Sequence, residues 1–270
     1  MERRVGMAAL FEDAMQKGEA YLEVGEYKKA AECFKECVAS SPEEPDGHFR
    51  LGFALAEMGK LNDALKAYTD GLRLDSTNTE ALTAVGDIHF ESGDYALALK
   101  AYQAVVEMSP DDPDGFVSIG LVHNCMEQPQ EAIGFYTKAL AMDPKNVFAL
   151  NALGDAYYAL GERAKAVDAY KEGIAIDPDD AAARFNLGEL YYDMEEFEGA
   201  ESECLEAVRL DPSFALPYLT LGSICLDQER IADAIRYFEL YLKNEKSPRA
   251  EEMLSEVQAV LEGLREEIRG

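Results

Sequence analysis

Three histidines, five cysteines and 53 Asp and Glu residues are the groups in this chain able to do chemistry. His89 and His123 stand 34 residues apart, a spacing that stacks them on adjacent helices of a repeated array and invites a metal ion. Adjacent helix axes pack about 8–10 Å apart, and no third ligand stands at a neighbouring phase. The pair therefore reads as structural, at a phase where other repeats carry tyrosine. Cys33 and Cys37 lie one helical turn apart with no further ligand spaced to close a site. Cys204 and Cys225 fall at core phases, as small hydrophobes. Carboxylates this numerous must mostly face water, and no EF-hand spacing organises them. The chain has no Gly-rich phosphate loop, no Gly-x-Ser-x-Gly elbow and no His-Glu-x-x-His helix. The residues predict a protein that is not an enzyme, with no catalytic residue, cofactor or metal.

The elements carrying these groups are set by a period. Glycine recurs every 34 residues, at Gly18, Gly52, Gly86, Gly120, Gly154, Gly188 and Gly222. Alanine does the same at Ala30, Ala64, Ala98, Ala132, Ala166, Ala200 and Ala234. Such a period marks one supersecondary unit stacked on copies of itself. The units run 11–44, 45–78, 79–112, 113–146, 147–180, 181–214 and 215–248. In the sixth, Leu187, Gly188 and Tyr191, then Ala200, Cys204, Ala207 and Val208, recur at spacings of three and four, the signature of two amphipathic helices. Gly25, Gly59, Gly93 and Gly161 suit a left-handed residue at the turn between them. Ser41-Pro42, Ser109-Pro110, Asp143-Pro144, Asp177-Pro178 and Asp211-Pro212 end the second helix, because proline disfavours helical geometry at the residue before it. Glycine within a helix costs about 1 kcal/mol relative to alanine, so its recurrence predicts a close approach, here expected between the glycine and the recurring alanine.

The fifth unit reads Leu150, Leu153-Gly154, Tyr157, Ala166, Tyr170, Gly173, Pro178. This pattern resembles the tetratricopeptide repeat, and the resemblance covers residues 11–248. Departures are Ser76 in place of proline, Pro248 two positions late, His89 and His123 in place of tyrosine, and Lys17 in place of leucine. The resemblance implies an all-α, right-handed α-solenoid of seven helix-turn-helix units. It also implies a concave groove, lined by the first helices, that receives peptides.

After Pro248, the residues Ala250, Met253, Leu254, Val257, Val260, Leu261, Leu264 and Ile268 form one apolar stripe. Ser247 reads as an N-cap with proline at the first helical position, and Arg265 and Arg269 sit in the last turn as the dipole favours. Residues 249–270 are thus expected to form a solvating cap helix, and residues 1–10 a flexible N-terminus. No linker interrupts what reads as one elongated repeat domain.

Within the groove, unit positions 2, 5, 9, 12 and 13 fall on one face of the first helix. They supply carboxylates, among them Glu57, Glu80, Asp87, Glu91, Asp155 and Glu189. They also supply the aromatics Phe49, Phe53, Phe90, Phe148, Tyr158, Phe185 and Tyr192, with the amides Asn124, Asn151 and Asn186 nearby. Lys and Arg are almost absent, with Arg50 a neighbour, so the basic clamp that chaperone adaptors of this family use for acidic tails is missing. The formal net charge is −28. It disfavours nucleic acid, whose phosphates need Lys and Arg clusters, and anionic lipid. No apolar run is long enough to span a bilayer and the odd cysteine count fits a reducing compartment, so the expected location is cytoplasmic. The expected function is a scaffold or adaptor binding a basic, partly apolar protein segment. The alternatives are a self-assembling structural scaffold, with the net charge opposing self-association, and a regulatory or targeting subunit of an enzyme.

Overall fold

Within each of two units, successive helices joined by tight turns pack as pairs in a computed structural model that describes the backbone of residues 2–269 and the side chains of residues 9–267. Contacts group the chain into two compact units, Met1–Gln128 and Pro129–Gly270, so the division falls inside the fourth repeat. The first unit contains α1 (Glu2–Glu23), α2 (Tyr27–Ser40), α3 (Pro45–Glu57), α4 (Leu61–Leu74), α5 (Thr79–Glu91), α6 (Tyr95–Met108) and α7 (Pro113–Cys125). The second contains α8 (Pro129–Met142), α9 (Val147–Ala159), α10 (Arg163–Ile176), α11 (Ala181–Asp193), α12 (Phe197–Leu210), α13 (Leu216–Asp227) and α14 (Ile231–Asn244). A short 3-10 turn, Pro248–Ala250, then leads into α15 (Glu251–Arg269). Among the described residues there is no strand, and no helix is long and apolar enough to cross a membrane.

The helix ends follow local chemistry. α2, α6, α8, α10 and α12 each stop one or two residues before the recurring proline. α4 stops at the same phase although Ser76 replaces that proline. There Asp75 accepts the Thr77 backbone N–H at 3.0 Å, a side-chain turn that Asp143, Asp177 and Asp211 repeat with Lys145, Asp179 and Ser213. Such Asx turns offer the backbone an alternative to further helix. The first helices restart on caps: Asn78, Asn146 and Asp180 accept the N–H groups of Ala81, Ala149 and Ala183 at 2.8–2.9 Å. Ser247 caps the last segment by accepting the Arg249 N–H.

The recurring glycine lies against a neighbour different from the one expected. A Cβ on Gly18, Gly52, Gly86, Gly154 or Gly222 would fall 2.4–2.9 Å from a ring atom of Phe34, Tyr68, Tyr102, Tyr170 or Phe238. The alanine sits four residues before each ring, one turn away, so the glycine makes room for an aromatic. In the sixth repeat Cys204 replaces the ring, and its Sγ would meet the Gly188 Cβ at 2.7 Å, with the Ala200 carbonyl at 3.4 Å.

The turn glycines Gly25, Gly59, Gly93 and Gly161 adopt φ between 70 and 77°. The other three repeats hold Glu127, Glu195 and Glu229 at the same position with φ of 58–60°. A left-handed conformation costs an L-residue roughly 1–2 kcal/mol, while glycine adds freedom to the unfolded chain. Glu195→Gly and Glu229→Gly are each expected to raise stability by about 0.5–1 kcal/mol, measured as an upward shift in Tm. Unchanged or lower midpoints in both variants would mean that the glutamates are not strained.

At the C-terminus Val257 and Leu261 are buried, and Leu254 and Leu264 pack beside them against a core that includes Tyr237 and Tyr241 of α14. Met253 and Val260, from the same stripe, stay exposed, so the cap buries a narrower face than the stripe suggests. The side chains of Ile268 and Arg269 lie outside the described residues. At the other end, where a flexible segment is expected over residues 1–10, α1 is already helical from Glu2. Met7, Ala8, Ala9 and Leu10 are good helix formers, and no proline separates them from the repeat.

Candidate functional site

In the first unit two aromatics, Phe53 of α3 and Tyr68 of α4, are shared by three adjoining clefts of about 220, 240 and 410 Å³. Glu19, Asp46 and Glu80 border the first, Glu57, Asp87 and Glu91 the second, and Glu80, Asp87 and Asp112 the third. Phe53 is 40% exposed and forms the open apolar wall. Arg50 is the one cation among the described lining residues, and it lies 3.5 Å from Glu19. Phe49 is half-buried with its ring over Gly71 of α4, where a Cβ would come within 2.5 Å of it. Phe90 packs its ring 5.9 Å from that of Tyr95. Asn124 is half-buried on α7. Phe49 lines the first cleft, whereas Phe90 and Asn124 line none of the three.

In the second unit the sequence-predicted residues are largely engaged with each other. Asp155 accepts the Tyr170 hydroxyl at 2.6 Å and the Asn186 amide at 3.3 Å. Burial raises its pKa, with the Tyr170 hydrogen bond opposing. Burial, then Asp155, drives the Tyr170 phenol far upward. Asn151 donates to Asp180 at 2.8 Å, tying α9 to the cap of α11, while its own carbonyl oxygen is buried without a partner. Tyr158 donates to Asp193, and Tyr192 donates to Asp227 at 2.8 Å. Each of these bonds joins the first helix of one repeat to that of the next. They help push both phenols up to about 12: for Tyr158 the hydrogen bond is the leading cause, for Tyr192 burial is. Glu189 has its pKa raised by lost hydration and then by Asp193, although its side chain remains exposed.

Phe185 departs from the expected exposed stripe. It is 5% exposed and meets Phe214 edge-on, ring centroids 5.1 Å apart. Position 5 of the repeat faces the second helix, and a small residue opposite it admits the side chain. The pairs are Phe49 with Gly71, Asn151 with Gly173, and Phe185 with Ala207 in one core cluster. The small residues at Gly71, Gly173 and Ala207 were the available signal. Sequence reasoning also missed Tyr68, whose phase assigns it to the core.

Cys37, Cys204 and Cys225 are buried packing groups, whereas Cys125 is exposed. Cys37 is buried and donates to the Phe11 carbonyl at 3.6 Å, with burial raising its pKa to about 11. Burial lifts Cys204 to about 12. His123 Nδ1 lies 2.8 Å from the Gln128 side-chain oxygen, and His89 Nδ1 lies 3.7 Å from Asp94. Among the described residues no three His, Cys, Asp or Glu side chains converge as a metal site.

Comparison with known proteins agrees with this architecture. Residues 154–195 match a family model described as TPR repeat. Residues 14–44, 54–113, 126–169 and 185–251 match models described as tetratricopeptide repeat. The TPR repeat-containing protein MJ1428 of Methanocaldococcus jannaschii is 30% identical over 80 residues, covering 30% of this chain and 14% of that protein. The chain therefore matches only a small part of this relative's length. A tetratricopeptide repeat protein from Parabacteroides merdae superimposes with a TM-score of 0.75 at 20% identity, over 95% of this chain and 99% of its own. YrrB, described as a TPR protein with an unusual peptide-binding site, gives 0.56 at 22% identity, over 74% of this chain and 99% of its own. These last two likenesses concern the fold.

Proposed function

Because the chain belongs to the tetratricopeptide repeat family, we propose that it is a non-catalytic scaffold or adaptor that binds a basic, partly apolar segment of another protein. The observation that carries this reading is the inner face of the first unit. There an exposed aromatic wall, Phe53, is bordered by carboxylates from α1, α3 and α5, and the one lining cation among the described residues already faces Glu19. The field of such a face draws basic segments in and rejects acidic ones. Phe53 offers a ring face to a cation, a contact worth roughly 0.5–2 kcal/mol. The peptide-binding site in YrrB's description supports the same use of the fold.

The second unit contributes less to direct recognition on this reading, since Asp155, Tyr158, Asn186 and Tyr192 already hold its helices together. A charge-reversal test therefore belongs on the exposed carboxylates Glu57, Glu80 and Glu91, which the fold does not bury. Binding of a synthetic segment alternating arginine with leucine is expected to weaken about tenfold or more between 50 and 500 mM salt, as screening shortens the Debye length. The triple variant to lysine is expected to abolish that binding while its Tm stays within a few degrees of the parent. Affinity indifferent to both salt and charge reversal would end this reading.

A further inference from the structure

Tyr68 breaks a pattern that its own neighbours establish. In the third and fifth repeats the tyrosine under the glycine donates its hydroxyl to a carboxylate nine positions into the repeat: Tyr102 to Asp87, and Tyr170 to Asp155, both at 2.6 Å. In the second repeat that ninth residue is Phe53. Tyr68 is as deeply placed as the others, at 4% exposure, yet its hydroxyl makes no hydrogen bond among the described residues and opens on the clefts instead. It lines all three clefts. Glu80, Glu57 and Asp87 lie near enough to hold its proton on, after burial itself, with a pKa of about 12. A carboxylate at the ninth position is what two other repeats use to hold this hydroxyl. Here the sequence places a ring there and leaves the hydroxyl open.

Resting on the reading of this groove as protein-binding, we propose that the space around Phe53 and Tyr68 is a seat for one arginine side chain of the partner segment. The guanidinium stacks on Phe53, donates to the carboxylates of Glu57, Glu80 and Asp87, and gives one N–H to the Tyr68 hydroxyl oxygen. Arginine fits better than lysine. The walls alternate carboxylates with Ala56, Ala84 and Ile88, which suits a flat, weakly hydrated cation with five donors rather than a compact, strongly hydrated ammonium. Asp87 has one oxygen on Tyr102 and a second left for the guest. Glu57 also faces the Tyr27 hydroxyl and raises its pKa, an interaction the arriving cation would share.

The test uses the full chain, with N-acetyl-arginine amide and its neutral isostere N-acetyl-citrulline amide as probes, followed by the aromatic NMR signals of Phe53 and Tyr68. Saturable shifts at both rings are expected for the arginine probe, with about tenfold weaker binding of the citrulline probe. Phe53→Asp gives Tyr68 the partner its neighbours have and makes the cleft more negative. If the seat operates as described, this variant binds the arginine probe about tenfold more weakly, whereas attraction by charge alone strengthens it. Phe53→Leu keeps the bulk, leaves Tyr68 open, and is expected to weaken binding in the same direction. Equal or tighter binding by Phe53→Asp, equal binding of the citrulline probe, or no saturable shift at Phe53 and Tyr68 overturns the seat. The alternating basic segment separates the two levels. Its binding to the parent and to Phe53→Asp alike refutes the seat and keeps the groove, and its failure to bind either refutes both.

Discussion

Gly154→Leu is expected to destabilise the second unit by about 3 kcal/mol or more, at the upper end of what overpacking costs. The first atom of the new side chain already has no room, since a Cβ at Gly154 falls 2.5 Å from Tyr170 Cε1 and 2.7 Å from Cδ1. The ring cannot readily step aside. It is 3% exposed, and its hydroxyl is bonded to Asp155, which also takes Asn186 from the next helix pair. Moving Tyr170 therefore strains a link between repeats as well as one helix pair, and in repeat arrays stability is carried by such nearest-neighbour terms. Gly154→Ala meets the same first-atom clash but gains about 1 kcal/mol of helix propensity, so its net loss is expected to be about 1 kcal/mol. The control is Tyr170→Ala. If the ring is the obstacle, Gly154→Leu costs far less in that background, and the double-mutant cycle shows strong coupling. Denaturant unfolding of the four proteins decides it. Additive effects, or a Gly154→Leu variant that unfolds like the parent, would refute this account.

That glycine illustrates what a single sequence discloses. Its 34-residue period fixed the helix pairs and their turns, because periodicity, Gly and Pro report backbone geometry directly. The turn glycines 25, 59, 93 and 161 indeed carry positive φ. Which side chain the helical glycine faces was not legible, because Ala166 and Tyr170 lie on the same stripe one turn apart and spacing alone does not choose between them. The exposure of Phe53, Asp87 and the carboxylates around them was legible, because helix phase determines it. Less was legible wherever one side chain answers another across repeats. Tyr158 and Asp193, or Asn151 and Asp180, are separated by 35 and 29 residues, and a helix-face argument treats each as an independent surface group. The open Tyr68 hydroxyl is the extreme case, since it emerges only when the tyrosine of one helix is compared with position nine of another.

Phe185→Ala is expected to cost about 3–5 kcal/mol of stability and to leave recognition of a basic segment intact in the protein that remains folded. Phe185 shares a helical stripe with Glu189 and Tyr192, and by phase alone it belongs to the groove. Its ring instead enters a core formed with Cys204, Ala207, Ala215, Tyr218 and Leu221, edge-on to Phe214. Truncation leaves a cavity between α11, α12 and α13 and removes an aromatic pair worth about 0.5–1.5 kcal/mol beyond its buried area. Phe53→Ala provides the contrast, because Phe53 is 40% exposed and much of its ring already faces solvent. That variant is expected to lose clearly less stability than Phe185→Ala and most of the aromatic contribution to binding. Thermal unfolding and affinity for the alternating basic segment, measured below the transition of each variant, separate the two roles. A stable Phe185→Ala chain with impaired binding would return Phe185 to the recognition surface. An unstable one that binds as the parent does would confirm that position five of this repeat builds the wall and position nine faces the guest.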